Sequence, residues 1–189
     1  MKAKRGSRSP AKPVSHANRP PAIFLVGFMG AGKTSVGRQL SRRLGWDFED
    51  LDDRIQLREG RSIAEIFRES GEAEFRRMEH AALRELVAEF GSSPRIVALG
   101  GGAFVQAGNV ALLEACGAPV VFLDGPVEEL FQRCKKDGSE RPLRRDARQF
   151  RELYAQRRPF YLKAPWRVDT GGKDADTTAA EVACSLGLQ

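Results

Sequence analysis

A glycine-rich segment between an apolar run and a helical pattern is the feature that most limits how this chain of 189 residues can fold. The apolar run lies at 22–26, and Gly-Phe-Met-Gly-Ala-Gly-Lys-Thr follows at 27–34. It fits G-x-x-x-x-G-K-[ST], in which glycines let backbone N–H groups face phosphate oxygens at a helix N-terminus. Lys33 would reach the β- and γ-phosphates, and the Thr34 hydroxyl would ligate Mg²⁺. The segment predicts a nucleoside triphosphate site.

Strand-like and helix-like patterns alternate along the chain. Short apolar runs predict strands at 22–26, 46–51, 95–99, 119–123 and 167–169. Helical spacing of apolar residues predicts helices at 33–44, 75–90, 109–116, 127–135 and from about 176. The alternation predicts an α/β fold with a mainly parallel sheet covered on both faces. Two polar stretches, 52–79 and 135–146, are expected to frame the ligand-binding edge of that sheet.

The positive charge is concentrated at the N-terminus. The net charge is +6, and residues 1–20 hold six lysines and arginines and no acidic residue, which leaves 25 basic and 25 acidic residues elsewhere. This composition predicts a disordered basic tail over 1–20 and a single domain over 21–189. A neutral body argues against a nucleic-acid-binding fold. No apolar run approaches the ~20 residues that cross a bilayer, which argues against a membrane protein.

The cysteine content argues against two further classes of protein. Cys116, Cys134 and Cys184 are widely spaced, and the chain has only two histidines. Neither a zinc ligand set nor a disulfide framework can be built from them. The cysteines therefore predict a reducing, cytoplasmic location.

An acidic cluster, Glu-Asp-Leu-Asp-Asp at 49–53, follows the second predicted strand. Because side chains alternate along a strand, Asp50 and Asp52 are expected to share a face. Beside a bound triphosphate, one carboxylate would hold the water shell of Mg²⁺, and the other would orient or deprotonate an acceptor hydroxyl. A solvated acidic turn, or a helix N-cap at Asp53, is the structural alternative.

Glycines and arginines supply the remaining candidate residues. Gly100–Gly102 end the third predicted strand, where a bare backbone would let a ligand approach closely; a loose turn is the alternative. Arg76, Arg141 and Arg157 have the planar group that grips a carboxylate or phosphate in bidentate fashion. For each arginine taken singly, the sequence favours a surface charge.

The ordered series of motifs points to a known family. The segments are GFMGAGKT, EDLDD, FRRMEHAAL, VALGGGA, SERPL and YAQRRPFY. With this series, the chain from about residue 22 to 188 resembles shikimate kinase. The resemblance implies a three-layer P-loop kinase fold of the nucleoside-monophosphate-kinase type, with a five-stranded parallel sheet and helices on both faces. It also implies a substrate-binding lobe at 52–79, a mobile lid at 135–146, and a monomer.

The implied reaction is transfer of the ATP γ-phosphoryl group to the 3-hydroxyl of shikimate, with Mg²⁺ as cofactor, in aromatic amino-acid biosynthesis. The resemblance assigns ATP binding to Gly30, Ala31, Gly32, Lys33, Thr34, Ser35, Arg133 and Arg141. It assigns shikimate binding to Asp52, Phe75, Arg76, Glu79, Gly100, Gly101, Gly102 and Arg157.

Individual roles follow from the same resemblance. Lys33, Asp52 and Arg141 are the implied catalytic residues, with Asp52 as base and Arg141 closing over the phosphates. Arg76 and Arg157 would bind the shikimate carboxylate, and Glu79 would help to position the arginine. Thr34 and Asp50 would hold Mg²⁺, and Arg133 would lie near the adenine.

Other functions remain as alternatives at this point. A gluconate kinase on the same fold would not need two arginines for a carboxylate. A GTPase switch would need an early Asp-x-x-Gly and an Asn-Lys-x-Asp motif, but the one Asp-x-x-Gly comes at 169–172 and the chain has no Asn-Lys pair. A nucleic-acid-binding module would depend on the basic tail.

Overall fold

The structure is a five-stranded sheet flanked by helices. The computed structural model describes residues 20–91, 93–136 and 146–188. Its strands are β1 (Ala22–Val26), β2 (Asp47–Asp50), β3 (Arg95–Ala98), β4 (Val120–Asp124) and β5 (Trp166–Asp169). Its helices are α1 (Lys33–Leu44), α2 (Leu51–Glu59), α3 (Ile63–Ala88), α4 (Ala107–Cys116), α5 (Val127–Lys136), α6 (Ala147–Tyr161) and α7 (Ala175–Ser185), and a short 3₁₀ helix spans Ala103–Val105.

The sheet is parallel throughout. The strands lie in the order β2-β3-β1-β4-β5, with Ala22 opposite Arg95 and Phe24 opposite Val120. All residues of β1 and β4 are buried, so both faces of the centre of the sheet are covered. The prediction of a five-stranded parallel α/β fold is confirmed, and each predicted strand overlaps an observed one.

The topology places three connections at one edge of the sheet. After β1 the chain crosses to β2 and β3 on one side, and later to β4 and β5 on the other. The crevice at the carboxyl ends of the strands where this direction reverses is the usual ligand site of such sheets. The loop after β1, the start of α2 and the glycines after β3 all leave from this edge.

Strand β2 ends earlier than predicted, because a helix begins there. The Asp50 side chain caps α2 and accepts a hydrogen bond from the Asp52 backbone N–H at 3.1 Å. Asp52 therefore lies in the first turn of α2, and the prediction that Asp50 and Asp52 share one face of a strand is wrong. The alternative of an N-cap at Asp53 is also wrong, since Asp50 is the cap.

Helix α3 is longer than the predicted helix at 75–90. It begins after Ser62, which forms a capping box with Glu65. Gly71, with φ 78° and ψ 173°, interrupts the helical backbone between Ile63 and Ala88. The polar stretch at 52–79 therefore consists of α2 and of α3 as far as residue 79, with a bend at Gly71.

Helix α6 has no counterpart among the predicted elements. Its sequence, ARQFRELYAQRRPFY, is rich in charge, and Pro159 lies inside its last turn. Proline disfavours helix because it lacks a backbone N–H. The Asp146 side chain nevertheless caps the first turn, and Phe150 and Tyr161 are buried. The helical spacing of these aromatic side chains was a signal for this helix.

Some predictions fall on residues that the structure does not describe. The basic tail lies almost entirely at 1–19, and most of the predicted lid, including Arg141, lies at 137–145. Among the described helices, none is long and apolar enough to cross a membrane.

Candidate active site

Three glycines with positive φ shape the loop between β1 and α1. Gly27, Gly30 and Gly32 have φ of 147°, 80° and 85°, values that side-chain-bearing residues rarely adopt. A Cβ at Gly30 would also collide with the Leu130 carbonyl oxygen. Gly32 is the N-cap of α1, and no side chain of the described residues caps that helix. The first N–H groups of α1 therefore face the loop, as phosphate binding requires.

The two polar side chains at the start of α1 contact different neighbours. The Lys33 ammonium donates to the carbonyl oxygens of Gly27 and Phe28 at 2.9 and 3.1 Å. The Thr34 hydroxyl donates to Asp50 Oδ2 at 2.8 Å. Their neighbours in the motif differ in exposure, Ala31 being buried and Ser35 exposed. The contact between Thr34 and Asp50 joins α1 to the end of β2.

Thr34 and Asp50 have the chemistry that a magnesium site requires. A hydroxyl and a carboxylate are hard oxygen donors, and Mg²⁺ on a nucleotide uses one or two protein oxygens beside phosphates and waters. The described part of the chain holds no group of three or more His, Cys, Asp or Glu side chains that could bind a metal. The two donors fit a Mg²⁺ ion that a bound nucleotide would bring with it.

Two carboxylates meet at Gly100. A Cβ at this glycine would lie 2.7 Å from Asp52 Oδ1 and 3.2 Å from Glu79 Oε1. Asp52 comes from α2 and Glu79 from α3, so Gly100 lies where the two helices face the end of β3. Its φ is not positive, so this glycine is required for space rather than for backbone conformation.

Glu79 is fully buried and holds Arg76 in place. Arg76 Nη1 donates to both carboxylate oxygens of Glu79 at 3.0 and 2.9 Å, and Nη2 donates to the exposed Glu72 at 3.1 Å. Burial raises the pKa of the Glu79 carboxyl to about 7 against the opposing effect of Arg76, and the charge of Asp52 raises it further. Arg76 is therefore oriented by two carboxylates of its own helix.

The Arg76 guanidinium also touches two neighbouring surfaces. It lies 5.0 Å from the centroid of the Phe75 ring, within the range of a cation–π contact. A Cβ at Gly102 would lie 2.6 Å from Arg76 Nη1. Gly102 thus leaves the space that Arg76 occupies.

Gly101 lies against both Arg157 of α6 and the phosphate-binding loop. Arg157 Nη1 donates to the Gly101 carbonyl oxygen at 3.3 Å. A Cβ at Gly101 would lie 3.7 Å from Met29 N and 3.8 Å from both the Gly27 carbonyl oxygen and Arg157 Nη1. The same Gly27 oxygen accepts the hydrogen bond from Lys33. We call Gly100–Gly102 the glycine floor, because Asp52, Glu79, Arg76 and Arg157 all contact it.

Two predicted ATP-binding residues lie outside this cluster or outside the described chain. Arg133 donates to the Thr170 carbonyl oxygen at 2.8 Å and to Lys173 O at 3.5 Å, which ties α5 to the loop after β5. Among the hydrogen bonds that Arg133 makes within the described residues, none reaches the glycine floor. Arg141 is not among the described residues.

One residue beside the glycine floor was not predicted from the sequence. Tyr161, at the end of α6, is fully buried, and its hydroxyl donates to the Gly101 carbonyl oxygen. Asp124 at the end of β4 was not predicted either; it is a buried carboxylate that pairs with Arg158 at 2.7 Å and Arg167 at 2.8 Å. The spacing of Phe150, Tyr154, Arg157 and Tyr161 was a signal, but the sequence does not reveal which strand α6 faces.

The fold and site together define a class of protein. A parallel sheet whose central strand runs into a glycine-rich loop with Lys33 and Thr34 is the architecture of a P-loop kinase. The family model for shikimate kinase matches residues 29–186. The chain therefore belongs to the shikimate kinase family, enzymes that phosphorylate shikimate at the expense of ATP.

Individual relatives agree with this assignment. The shikimate kinase of Geobacter sulfurreducens is 42% identical over 164 residues, covering 85% of this chain and 88% of the relative. That of Persephonella marina is 38% identical over 151 residues, covering 80% and 90%. The structure of shikimate kinase from Acinetobacter baumannii in complex with shikimate aligns with a TM-score of 0.81 at 37% identity, covering 88% of this chain and 93% of that one.

These relatives decide between the alternatives left open by the sequence. The protein is an ATP-dependent shikimate kinase, and the gluconate kinase and GTPase alternatives are not supported. The structure of a tunicamycin resistance protein from Deinococcus radiodurans, at 20% identity and a TM-score of 0.65, shares the fold alone.

Proposed function

We propose that one cleft above the glycine floor carries the whole reaction. In this proposal Arg76 and Arg157 hold the carboxylate of shikimate and Asp52 faces its 3-hydroxyl. The observation that carries it is that these three side chains contact adjacent glycines, Gly102, Gly101 and Gly100. The Gly27 carbonyl joins the floor to Lys33, so the acceptor and the triphosphate would share the cleft.

The chemical step divides between Asp52 and Lys33. Asp52 accepts the proton of the 3-hydroxyl while the oxygen of that hydroxyl forms a bond to the γ-phosphorus. At the same time the bond between the γ-phosphorus and the β,γ-bridging oxygen breaks, and ADP leaves. Lys33 exchanges its backbone carbonyl partners for phosphate oxygens and stabilises the charge of the transferring group. Phe75 and Glu79 set the position of Arg76, through the ring contact and the bidentate pair.

Further residues complete the proposed nucleotide site. Backbone N–H groups of Gly30, Ala31, Gly32 and Ser35 would donate to the phosphates. Thr34 and Asp50 would hold Mg²⁺, which when bound offsets the charge of the β- and γ-phosphates. Arg141 would close over the phosphates from the lid, and Arg133 would lie beside the adenine.

The oligomeric state and the cellular location of the protein belong to the same proposal. We infer a monomer in the cytoplasm that has no nucleic-acid partner. The three cysteines are free thiols, which suits a reducing compartment. Gel filtration at micromolar concentration tests the monomer, since a dimer would elute at twice the mass of 20.9 kDa.

An assay of ADP release tests the acceptor and the base together. We expect ADP only with shikimate in a panel that includes quinate and gluconate. Asp52→Asn should lower kcat by about 10²- to 10⁴-fold, because the hydroxyl loses its proton acceptor. Asp53→Asn, its exposed neighbour in the same turn, should leave kcat within about twofold. Full turnover in Asp52→Asn would contradict the role of Asp52.

A further inference from the structure

Tyr161 occupies a position that the proposed reaction does not use. It is the last residue of α6 and is fully buried, with its ring stacked on Phe122 of β4 at 5.3 Å between centroids and 29° between planes. Its hydroxyl donates to the Gly101 carbonyl oxygen. The ring fixes Tyr161 against the sheet, and the hydroxyl joins it to the glycine floor.

Arg157 and Tyr161 donate to the same oxygen. They lie four residues apart in α6, so their side chains project from the same face of the helix. Arg157 Nη1 donates to the Gly101 carbonyl oxygen at 3.3 Å, and the Tyr161 hydroxyl donates to the same oxygen. A carbonyl oxygen has two lone pairs, which these two donors fill.

The Tyr161 hydroxyl remains a donor throughout the working pH range. Burial raises its pKa to about 12, against the opposing charge of Arg157. The charged groups that influence this hydroxyl are Arg157 from α6, and Arg76 and Glu79 from α3. Its bond to Gly101 is therefore expected to persist from about pH 6 to pH 9.

We propose that Tyr161 is a positioning residue for the carboxylate clamp, because its hydroxyl fixes the Gly101 carbonyl and so sets how far Arg157 extends toward the acceptor. This inference rests on the proposed function, since it takes Arg157 to bind the substrate carboxylate. Gly101 has no side chain to hold its peptide in place. Without the Tyr161 hydroxyl, Arg157 is the donor that remains to that oxygen among the described residues, and its guanidinium is drawn toward the floor and away from the carboxylate.

The Tyr161→Phe variant of the full chain tests this role, because it removes the hydroxyl and keeps the ring. We expect the KM for shikimate to rise about fivefold, with kcat and the KM for ATP within about twofold of the parent from pH 6 to pH 9. Tyr154→Phe is the matched control. Tyr154 lies on the same helix and donates to Asp124 and to the Gly125 carbonyl, so the KM for shikimate should not change.

Two more variants distinguish a failure of the role of Tyr161 from a failure of the proposed carboxylate clamp. Arg157→Lys should raise the KM for shikimate, and an unchanged value would overturn the proposed clamp itself. A raised KM in Arg157→Lys with an unchanged KM in Tyr161→Phe would overturn only the role of Tyr161. Combining the two substitutions should raise KM by less than the product of the single effects, because both act through one carbonyl. Multiplicative effects, or equal rises in both KM values with a lower Tm, would indicate a merely structural tyrosine and overturn the inference.

Discussion

Glu79 combines full burial with two charged neighbours of opposite sign. Arg76 binds both of its oxygens, and Asp52 lies beside it at Gly100. Burial is the largest influence and raises the pKa of Glu79 to about 7. A group of this kind affects the pH dependence of folding as well as the orientation of the arginine that it holds.

The stability of the protein should therefore depend on Glu79 between acidic and neutral pH. The pKa of Glu79 in the folded state, about 7, exceeds its ordinary value of 4.5, so the native state binds the proton more tightly. The contribution to the free energy of unfolding is full below about pH 4.5 and is lost as the pH rises through about 7. Relative to Glu79→Gln, the parent should lose on the order of 1–3 kcal/mol of unfolding free energy as the pH rises from about 4.5 to above 7. Urea unfolding of both proteins across this pH range measures the difference.

The exposed partner of Arg76 provides the control for this experiment. Glu72 is 65% exposed and binds the same guanidinium. The unfolding free energy of Glu72→Gln should depend on pH in the same way as that of the parent. If the unfolding free energies of the parent and of Glu79→Gln change with pH in the same way, the raised pKa of Glu79 is wrong.

Space at Gly102 should control the affinity for the acceptor. A methyl group there would meet Arg76 Nη1 at 2.6 Å and displace the guanidinium. We expect Gly102→Ala to raise the KM for shikimate about tenfold and to leave the KM for ATP nearly unchanged in steady-state assays. Gly108→Ala is the control, since its Cβ would make an ordinary 3.5 Å contact with His80. Equal KM values in the two variants would refute this role of Gly102.

At the scale of elements, the site depends on where helices begin and bend. Asp50 ends β2 by capping α2, which places Asp52 in the first turn of the helix and leaves Asp50 Oδ2 to accept the Thr34 hydroxyl. Gly71 interrupts α3 before Arg76 and Glu79. The part of α3 after Gly71 carries Arg76 and Glu79 to the glycines that follow β3, and it also contacts α2 through the Arg58–Glu85 ion pair at 3.4 Å.

The bend in α3 should require glycine at position 71. Its φ of 78° and ψ of 173° lie in a region that is essentially restricted to glycine. Nothing lies within 4 Å of the Cβ that alanine would add, so the effect is confined to the backbone. Gly71→Ala should lower the free energy of unfolding by about 1–3 kcal/mol in urea titrations. Gly91→Ala, at an ordinary φ, should change it by less than about 0.5 kcal/mol, and an equal loss in both would contradict the argument.

At the scale of the whole molecule, charge and catalysis are expected to be separable. The first 19 residues carry six basic side chains and no acidic one, so their removal takes the net charge from +6 to 0. Within the described residues, the side chains that we find against the glycine floor are Asp52, Arg76, Glu79, Arg157 and Tyr161. The tail should therefore influence adsorption to polyanions rather than turnover.

Deletion of residues 1–19 tests this separation. We expect kcat and both KM values within about twofold of the full chain, because no residue of the proposed site is removed. Retention on heparin at low salt should be lost, since the remaining charge is balanced. A tenfold loss of kcat on deletion would instead assign the tail to the active site.

Much of the fold could be predicted from the sequence because its signals are local. Buried strands in a parallel sheet are apolar throughout, as at 22–26 and 120–123, and both runs were predicted as strands. The β2–α2 junction was misjudged because Asp50 can end a strand or cap a helix with the same side chain. Helix α6 was missed because Pro159 and its many charges obscure a helical spacing of aromatic residues.

The sequence by itself determined the phosphate-binding loop, because the positive φ values of Gly27, Gly30 and Gly32 are a property of residues adjacent in the chain. Only the tertiary structure decided that Asp52 and Glu79 share the space over Gly100, and that Arg157 and Tyr161 share the oxygen of Gly101. Arg157 and Tyr161 are 56 and 60 residues away from Gly101 in the chain. Their meeting depends on strand order and on how each helix crosses the sheet, which the packing of the whole core selects.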